Sequence, residues 1–247
     1  PVMLLHGLFA QKEQWTQFAC QLATGGYTVF APDLPGYGQS VGFPIETYQL
    51  SKEVESIHAF AQKIGLKTFH IAGNSMGGAI AALYAQKYPS EVKSIAFIGA
   101  PMGVVGWSPQ MREAITAGIN PFIPITVDQF NLELSLLFAK PPSIDPAVKE
   151  AVVSEYVKNN RHYQQVWDIV NLDIFVLKTP KKALKPTFIT WGKEDGVFNI
   201  VGRPLLNQQF PNHVSYELKN MSHLVMLEQP NEIVDLYLPF LKSNALQ

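Results

Sequence analysis

Short apolar runs separated by helical patterns leave this chain few folds to choose from. "VMLLHG" (2–7) is followed by a helical stretch over 11–24, and "YTVFAPD" (27–33) by a loop and a helix near 47–64. "TFHIAGN" (68–74) leads to a helix over 76–88, and "VKSIAFIGA" (92–100) comes next. In the second helix Val54, Ile57, Phe60, Ala61 and Ile64 recur at intervals of three and four, a one-faced stripe. Strand-like runs that are apolar throughout and alternate with helices predict an α/β fold: a mostly parallel sheet covered on both faces. The rhythm breaks over 101–184, where "TVDQFNLELSLLFAK" and "DPAVKEAVVSEYVKNN" read as amphipathic helices, the second opened by Asp145-Pro146. It resumes with "KPTFITWG" (185–192), a helix near 200–209, "HVSYELKN" (213–220) and a last helix over 230–242. The expected organisation is an α/β core made of 1–100 and 185–247, interrupted before its last two strands by a helical insertion, 101–184.

Composition removes several functions. Lysine and arginine total 19 against 20 aspartate and glutamate, which gives no electrostatic case for nucleic acid. No basic run suits an anionic membrane, and no run of 18 apolar residues marks a membrane span. The single cysteine, Cys20, excludes an internal disulfide and is expected as a small buried hydrophobe. No Cys/His cluster has zinc-ligand spacing. The chain opens on "PVMLLHG", already strand-like. Localisation is left open between cytoplasmic and membrane-associated, with a disulfide-rich secreted scaffold disfavoured.

Glycines surround one serine in "HIAGNSMGGAI" (70–80). Gly73-Asn74-Ser75-Met76-Gly77 is a G-x-S-x-G pattern between a predicted strand and a predicted helix, the context in which that pattern has mechanical meaning. The serine must sit on a sharp turn, with small residues two positions to either side so that strand and helix can approach. The helix starting here aims its backbone N–H groups at the site, favouring developing negative charge. A glycine-rich turn with an incidental serine is the plain alternative, so partners decide.

A serine hydroxyl needs a base, usually a histidine oriented by a carboxylate. His58, His162 and His213 read as surface residues and His70 as a satisfied core histidine. His223, in "NMSHLVMLEQP", falls in the loop after the last strand, and Asp195, in "WGKEDGVF", falls in the loop leaving 186–192. Both loops are expected at the strand ends where α/β sheets bind ligands. Glu194 is the rival acid; Asp195 is preferred. The order Ser75, Asp195, His223 is that of nucleophile, acid and histidine in this architecture. An oxyanion would rest on the N–H of Met76 and on an N–H from "HGLF", assigned to Leu8. This chemistry requires no metal or organic cofactor.

The segments "LLHGLF", "APDLPGYGQS", "GNSMGG", "WGKEDGVF" and "MSHLVMLEQP" together resemble the α/β-hydrolase superfamily, most of all its bacterial lipases and monoacylglycerol-lipase-like serine hydrolases. The resemblance covers nearly the whole chain. It implies an eight-stranded fold whose first two strands would precede Pro1, and it implies that 101–184 is a cap domain. Ser75, Asp195 and His223 match the family's nucleophile, acid and base, Leu8 and Met76 its oxyanion positions, and Asp33, Gly36 and Gly38 a structural loop. Members with dehalogenase or epoxide-hydrolase activity carry aspartate where Ser75 stands. The resemblance implies an ester or lipid substrate of medium-to-long acyl chain, such as a monoacylglycerol. Carbon–carbon bond hydrolases, haloperoxidases, perhydrolases, ligand-binding receptors and a protein-binding scaffold stay open as alternatives. Phe9, Val197, Phe198 and Leu224 flank the motifs as candidate substrate contacts. Phe122, Ile123, Phe130, Leu134, Leu137, Phe138 and Phe175 either extend that pocket or form the cap's own core.

Overall fold

The computed structural model describes residues 1–177 and 185–245. Strand β1 (Val2–Leu5) leads through a 3-10 turn (Lys12–Trp15) into α1 (Thr16–Thr24) and β2 (Val29–Phe30). Next come α2 (Leu50–Lys63), β3 (Phe69–Ser75), α3 (Met76–Lys87) and β4 (Val92–Pro101). Helices α4 (Pro109–Thr116), α5 (Val127–Leu137), α6 (Pro146–Lys158) and α7 (Asn160–Asn171) then follow one another without a strand among the described residues. The chain returns to the sheet with β5 (Thr187–Gly192), α8 (Gly202–Gln209), β6 (His213–Leu218), α9 (Val225–Glu228) and α10 (Pro230–Ser243).

The six strands form one sheet in the order β2-β1-β3-β4-β5-β6, and every pairing is parallel. Alternation along each strand sends side chains to opposite faces. Met3, Leu5, Ile71, Phe97 and Trp191 join one core with Val54, Ile57 and Tyr84 of α2 and α3. Val2, Leu4, Ala72, Ile98 and Phe188 join the other with Phe18 of α1 and Tyr237 of α10. The chain leaves β1 toward β2 and returns to its other side as β3, so the direction of winding switches between β1 and β3. Crevices at such a switch, beyond the carboxyl ends of the strands, are where open α/β sheets bind ligands.

Four expectations change. The strand expected over 27–33 shrinks to Val29–Phe30, because this edge strand has a neighbour on one side only and Pro32 lacks the N–H to extend the ladder. Cys20 is exposed. The buried stripe near α1 is Trp15, Phe18 and Leu22, which turns Cys20 outward. On α2 the buried face is Leu50, Glu53, Val54, Ile57 and Ala61, so it begins and ends earlier than expected. Ile64 lies past the helix, exposed, and Phe60 is half-buried. His58, His162 and His213 are half-buried rather than open surface, whereas His70 is a core residue bonded to Ser94 Oγ at 2.7 Å. Of the several helical patterns expected within 101–184, the two quoted are α5 and α6, and α4 and α7 stand beside them. Its last residues, 178–184, lie outside the described residues. No helix among the described residues is long and apolar enough to cross a membrane.

Candidate active site

Ser75 ends β3 and precedes α3 at φ 53°, ψ −119°, a left-handed backbone that costs a non-glycine residue on the order of 1–3 kcal/mol. The flanking glycines permit this turn by close approach. A Cβ on Gly73 would lie 2.2 Å from the Gly77 carbonyl carbon, and one on Gly77 would lie 2.1 Å from Leu5 O. Met76 is the first residue of α3, so its N–H has no acceptor within the helix.

Asp195 and His223 come from the loops that leave β5 and β6. His223 Nδ1 donates to Asp195 Oδ2 at 2.9 Å, and the pair is almost wholly buried, at 2% and 0% side-chain exposure. Asp195 Oδ1 accepts the backbone N–H groups of Val197 and Phe198, each at 2.8 Å. Those bonds fix the carboxylate, and the carboxylate fixes the imidazole tautomer with Nε2 free to accept a proton. Glu194 is turned elsewhere, with Oε2 accepting from Met221 N. A Cβ on Gly192 would lie 2.0 Å from Ser222 O, so the end of β5 also needs a glycine for the histidine loop to pass.

A cavity of about 370 Å³ opens at this rim, lined among others by Leu8, Phe9, Asn74, Ser75, Trp107, Phe122, Leu137, His223 and Leu224. That is an ordinary size for a small-molecule site. Of the candidate substrate contacts, Phe9 and Leu224 line it, but Val197 and Phe198 do not. Both are fully buried behind Asp195, and the Phe198 ring stands edge-on to His223 at 5.7 Å. Their proximity in sequence to Asp195 reflects support of that carboxylate. Of the seven insert residues, Phe122 and Leu137 line the cavity. Phe130 and Leu134 pack with Val153 in a separate small core, with Phe138 against it. Ile123 is buried away from the cavity and Phe175 is half exposed. Leu8 lines the cavity, whereas Met76 is fully buried and does not. Among the described residues no group of three or more His, Cys, Asp or Glu side chains could hold a metal ion.

Several residues support the site, and of these Gln14 and His6 were not singled out in the sequence. Gln14 Oε1 accepts Gly7 N–H at 3.1 Å, and its Nε2 donates to Asn74 Oδ1 at 3.0 Å. Asn74 Nδ2 donates onward to Ile98 O and His223 O, at 2.9 and 3.1 Å. His6 Nε2 accepts from Leu34 N and Nδ1 donates to Gly7 O; burial lowers its pKa to about 4, so it is a neutral staple. Asp33, as expected, is structural: it takes Lys12 N, Lys12 Nζ and Gln39 N. Burial alone would raise its carboxyl, but these donors hold it below the usual carboxylate value. A Cβ on Gly38 would meet the Asp33 carboxylate at 2.5 Å.

Residues 1–119 match the α/β hydrolase fold family. The chain is 28% identical over 243 residues to lipase 1 of Psychrobacter immobilis, covering 97% of this chain and 76% of that protein. It is 28% identical over 255 residues to monoacylglycerol lipase ABHD6 of Mus musculus, covering 98% and 75%. A crystal structure of a membrane phospholipase A, described as a bacterial virulence factor, superposes with a TM-score of 0.90 at 30% identity, covering 99% of this chain and 79% of that one. The chain belongs to the α/β-hydrolase fold family. Within it, this is a lipase- and esterase-like serine hydrolase, an enzyme of the carboxylic ester hydrolase class.

Proposed function

We propose that Ser75 is the nucleophile, His223 the general base and Asp195 the carboxylate that orients it. The observation that carries this reading is the buried 2.9 Å His223–Asp195 bond at the wall of the cavity that Ser75 also lines. Ser75 Oγ attacks the ester carbonyl as His223 Nε2 takes its proton. The tetrahedral oxyanion accepts from the N–H groups of Leu8 and Met76. His223 then protonates the departing alcohol, leaving an acyl group on Ser75. Water, deprotonated by the same imidazole, attacks that acyl group, and the imidazolium returns its proton to Ser75 Oγ as the acid departs. Among the described residues no hydrogen bond joins Ser75 to His223, and such contacts often tighten only when substrate is bound.

The helices between β4 and β5 form the cap over this site. Trp107, Phe122 and Leu137 from that segment, with Leu224 from the histidine loop, give the cavity an apolar wall suited to a medium-to-long acyl chain. The lipase and monoacylglycerol lipase relatives support the same substrate class, with monoacylglycerols as the proposed example.

A fluorophosphonate probe is expected to label Ser75. Ser75→Ala is expected to abolish labelling and to lower kcat by about 10⁶-fold. Near-normal turnover of purified Ser75→Ala refutes the assignment. Across p-nitrophenyl acetate, octanoate and palmitate, kcat/KM is expected to favour the longer chains; a steep preference for acetate refutes the acyl-chain reading.

A further inference from the structure

The cavity is not apolar all round. On the insert side its wall includes Glu133, from α5, and Tyr156, from α6. Glu133 is 5% exposed. Tyr156 O–H donates to Glu133 Oε1 at 3.3 Å, a long bond, and Oε2 has no hydrogen-bond partner among the described residues. Tyr156 packs against Tyr163, whose ring meets Phe9 edge-on at 5.1 Å. The polar pair is thereby connected through aromatic contacts to the loop that carries Leu8.

A buried carboxyl oxygen left without a partner, on a residue that lines a cavity, is costly to keep unless something bonds to it. Burial pushes the Glu133 carboxyl up to about 8, so near neutral pH it is a neutral acid that can donate through O–H as well as accept. An alcohol hydroxyl, which both donates and accepts, matches the capacities of that acid and of the Tyr156 hydroxyl.

We propose that Glu133 and Tyr156 form a hydroxyl-binding subsite for the leaving alcohol, which makes the substrate an acyl ester of a small polyhydric alcohol. This rests on the assignment of Ser75 as nucleophile, because only then does the alcohol half of the ester depart within this cavity. The acyl chain occupies the wall of Trp107, Phe122 and Leu137, and the polyol faces the acid.

The test compares kcat/KM for 1-octanoylglycerol and ethyl octanoate, which share an acyl chain, in wild type, Glu133→Leu, Glu133→Gln and Tyr156→Phe. Wild type is expected to favour the glyceryl ester. Glu133→Leu is expected to lower the glyceryl-to-ethyl ratio about 10-fold or more, and Tyr156→Phe less. Glu133→Gln, which still donates and accepts, is expected to keep the ratio within about 3-fold of wild type. Should Glu133→Leu fail to fold, Tyr156→Phe and Glu133→Gln still decide, since each keeps nearly the native shape. If wild type turns over ethyl octanoate but shows no glyceryl preference, or if the variants lower both rates together, the subsite is overturned while the hydrolase assignment stands. A preference for 2-aminoethyl octanoate that Glu133→Gln destroys also overturns it, in favour of a cation site. If neither ester reacts and Ser75 resists the fluorophosphonate, the nucleophile assignment falls and takes the subsite with it.

Discussion

Ser75 is the point of a turn whose geometry is enforced from outside itself. Its φ of 53° persists because Gly73 and Gly77 let α3 sit against β1 and β3, and because the two amides beside it allow little rearrangement. Gln14 and Asn74 form a chain with one direction only. Gln14 Oε1 must accept from Gly7, so its Nε2 must donate to Asn74 Oδ1, and Asn74 Nδ2 is left to hold Ile98 O and His223 O. One relay therefore spans the Leu8 loop, the serine turn and the histidine loop. Gln14→Glu places an acceptor against an acceptor at Asn74 Oδ1 with little change in shape. The expected result is a fall in kcat of about 10- to 100-fold with KM within about 3-fold of wild type, since small misplacements of reacting groups have effects of that size. A fall in Tm with unchanged kcat, read from steady-state kinetics and thermal melts, would make the relay purely structural. The proposed triad of Ser75, Asp195 and His223 could be put forward from the sequence because glycine spacing and chain order single those residues out. The relay of Gln14 and Asn74 could not, because an amide's partner is set by tertiary contact and leaves no periodic trace.

At the scale of elements, apolar period reported most of the sheet and its helices, and failed where packing overrides composition. α2 is the clearest case. Its buried face includes Glu53, fully buried with neither carboxyl oxygen bonded among the described residues, a residue that hydrophobic spacing assigns to solvent. Burial raises its pKa from 4.5 to about 9. The unfolded chain gives up this proton from about pH 4.5 upward, while the native state holds it until about 9. Over that window the unfolded state binds fewer protons, so stability falls as pH rises. The loss reaches on the order of 3 kcal/mol by pH 7. Glu53→Gln cannot ionise, so its Tm is expected to exceed that of wild type at pH 8 and to match it more closely at pH 5. Parallel Tm-against-pH curves for the two proteins would show that Glu53 does not titrate in this way. The short β2 and the outward Cys20 have the same kind of origin: an edge position and a helix face that composition alone does not reveal.

For the whole molecule, the insertion and the sheet are joined at the very loops that hold the candidate acid and base. His223 N and Leu224 N both donate to Leu137 O, at the C-terminal end of α5. Ser222 Oγ donates to Leu136 O at 2.9 Å and accepts from Gly196 N at 3.3 Å. Glu228 accepts Ser222 N–H with one oxygen and Ala139 N–H with the other. A Cβ on Gly196 would lie 2.7 Å from Leu136 O, so the acid loop is pressed directly against α5. The break in rhythm after β4 was legible as an insertion, but its attachment was not, because these bonds run through backbone carbonyls that any residue could supply. The expected consequence is that the helical segment, bonded to both loops, braces Asp195 and His223. Ser222→Ala removes the one hydroxyl that links Leu136, Gly196 and the histidine loop. It leaves a buried carbonyl and a partly buried N–H without that partner, at about 1–3 kcal/mol, which for a chain of this size lowers Tm by roughly 2–12 °C. Hydrogen exchange is expected to quicken at Gly196, and kcat is expected to fall even though Ser222 lies outside the cavity lining. If exchange quickens while kcat holds, the insert covers the site without bracing it.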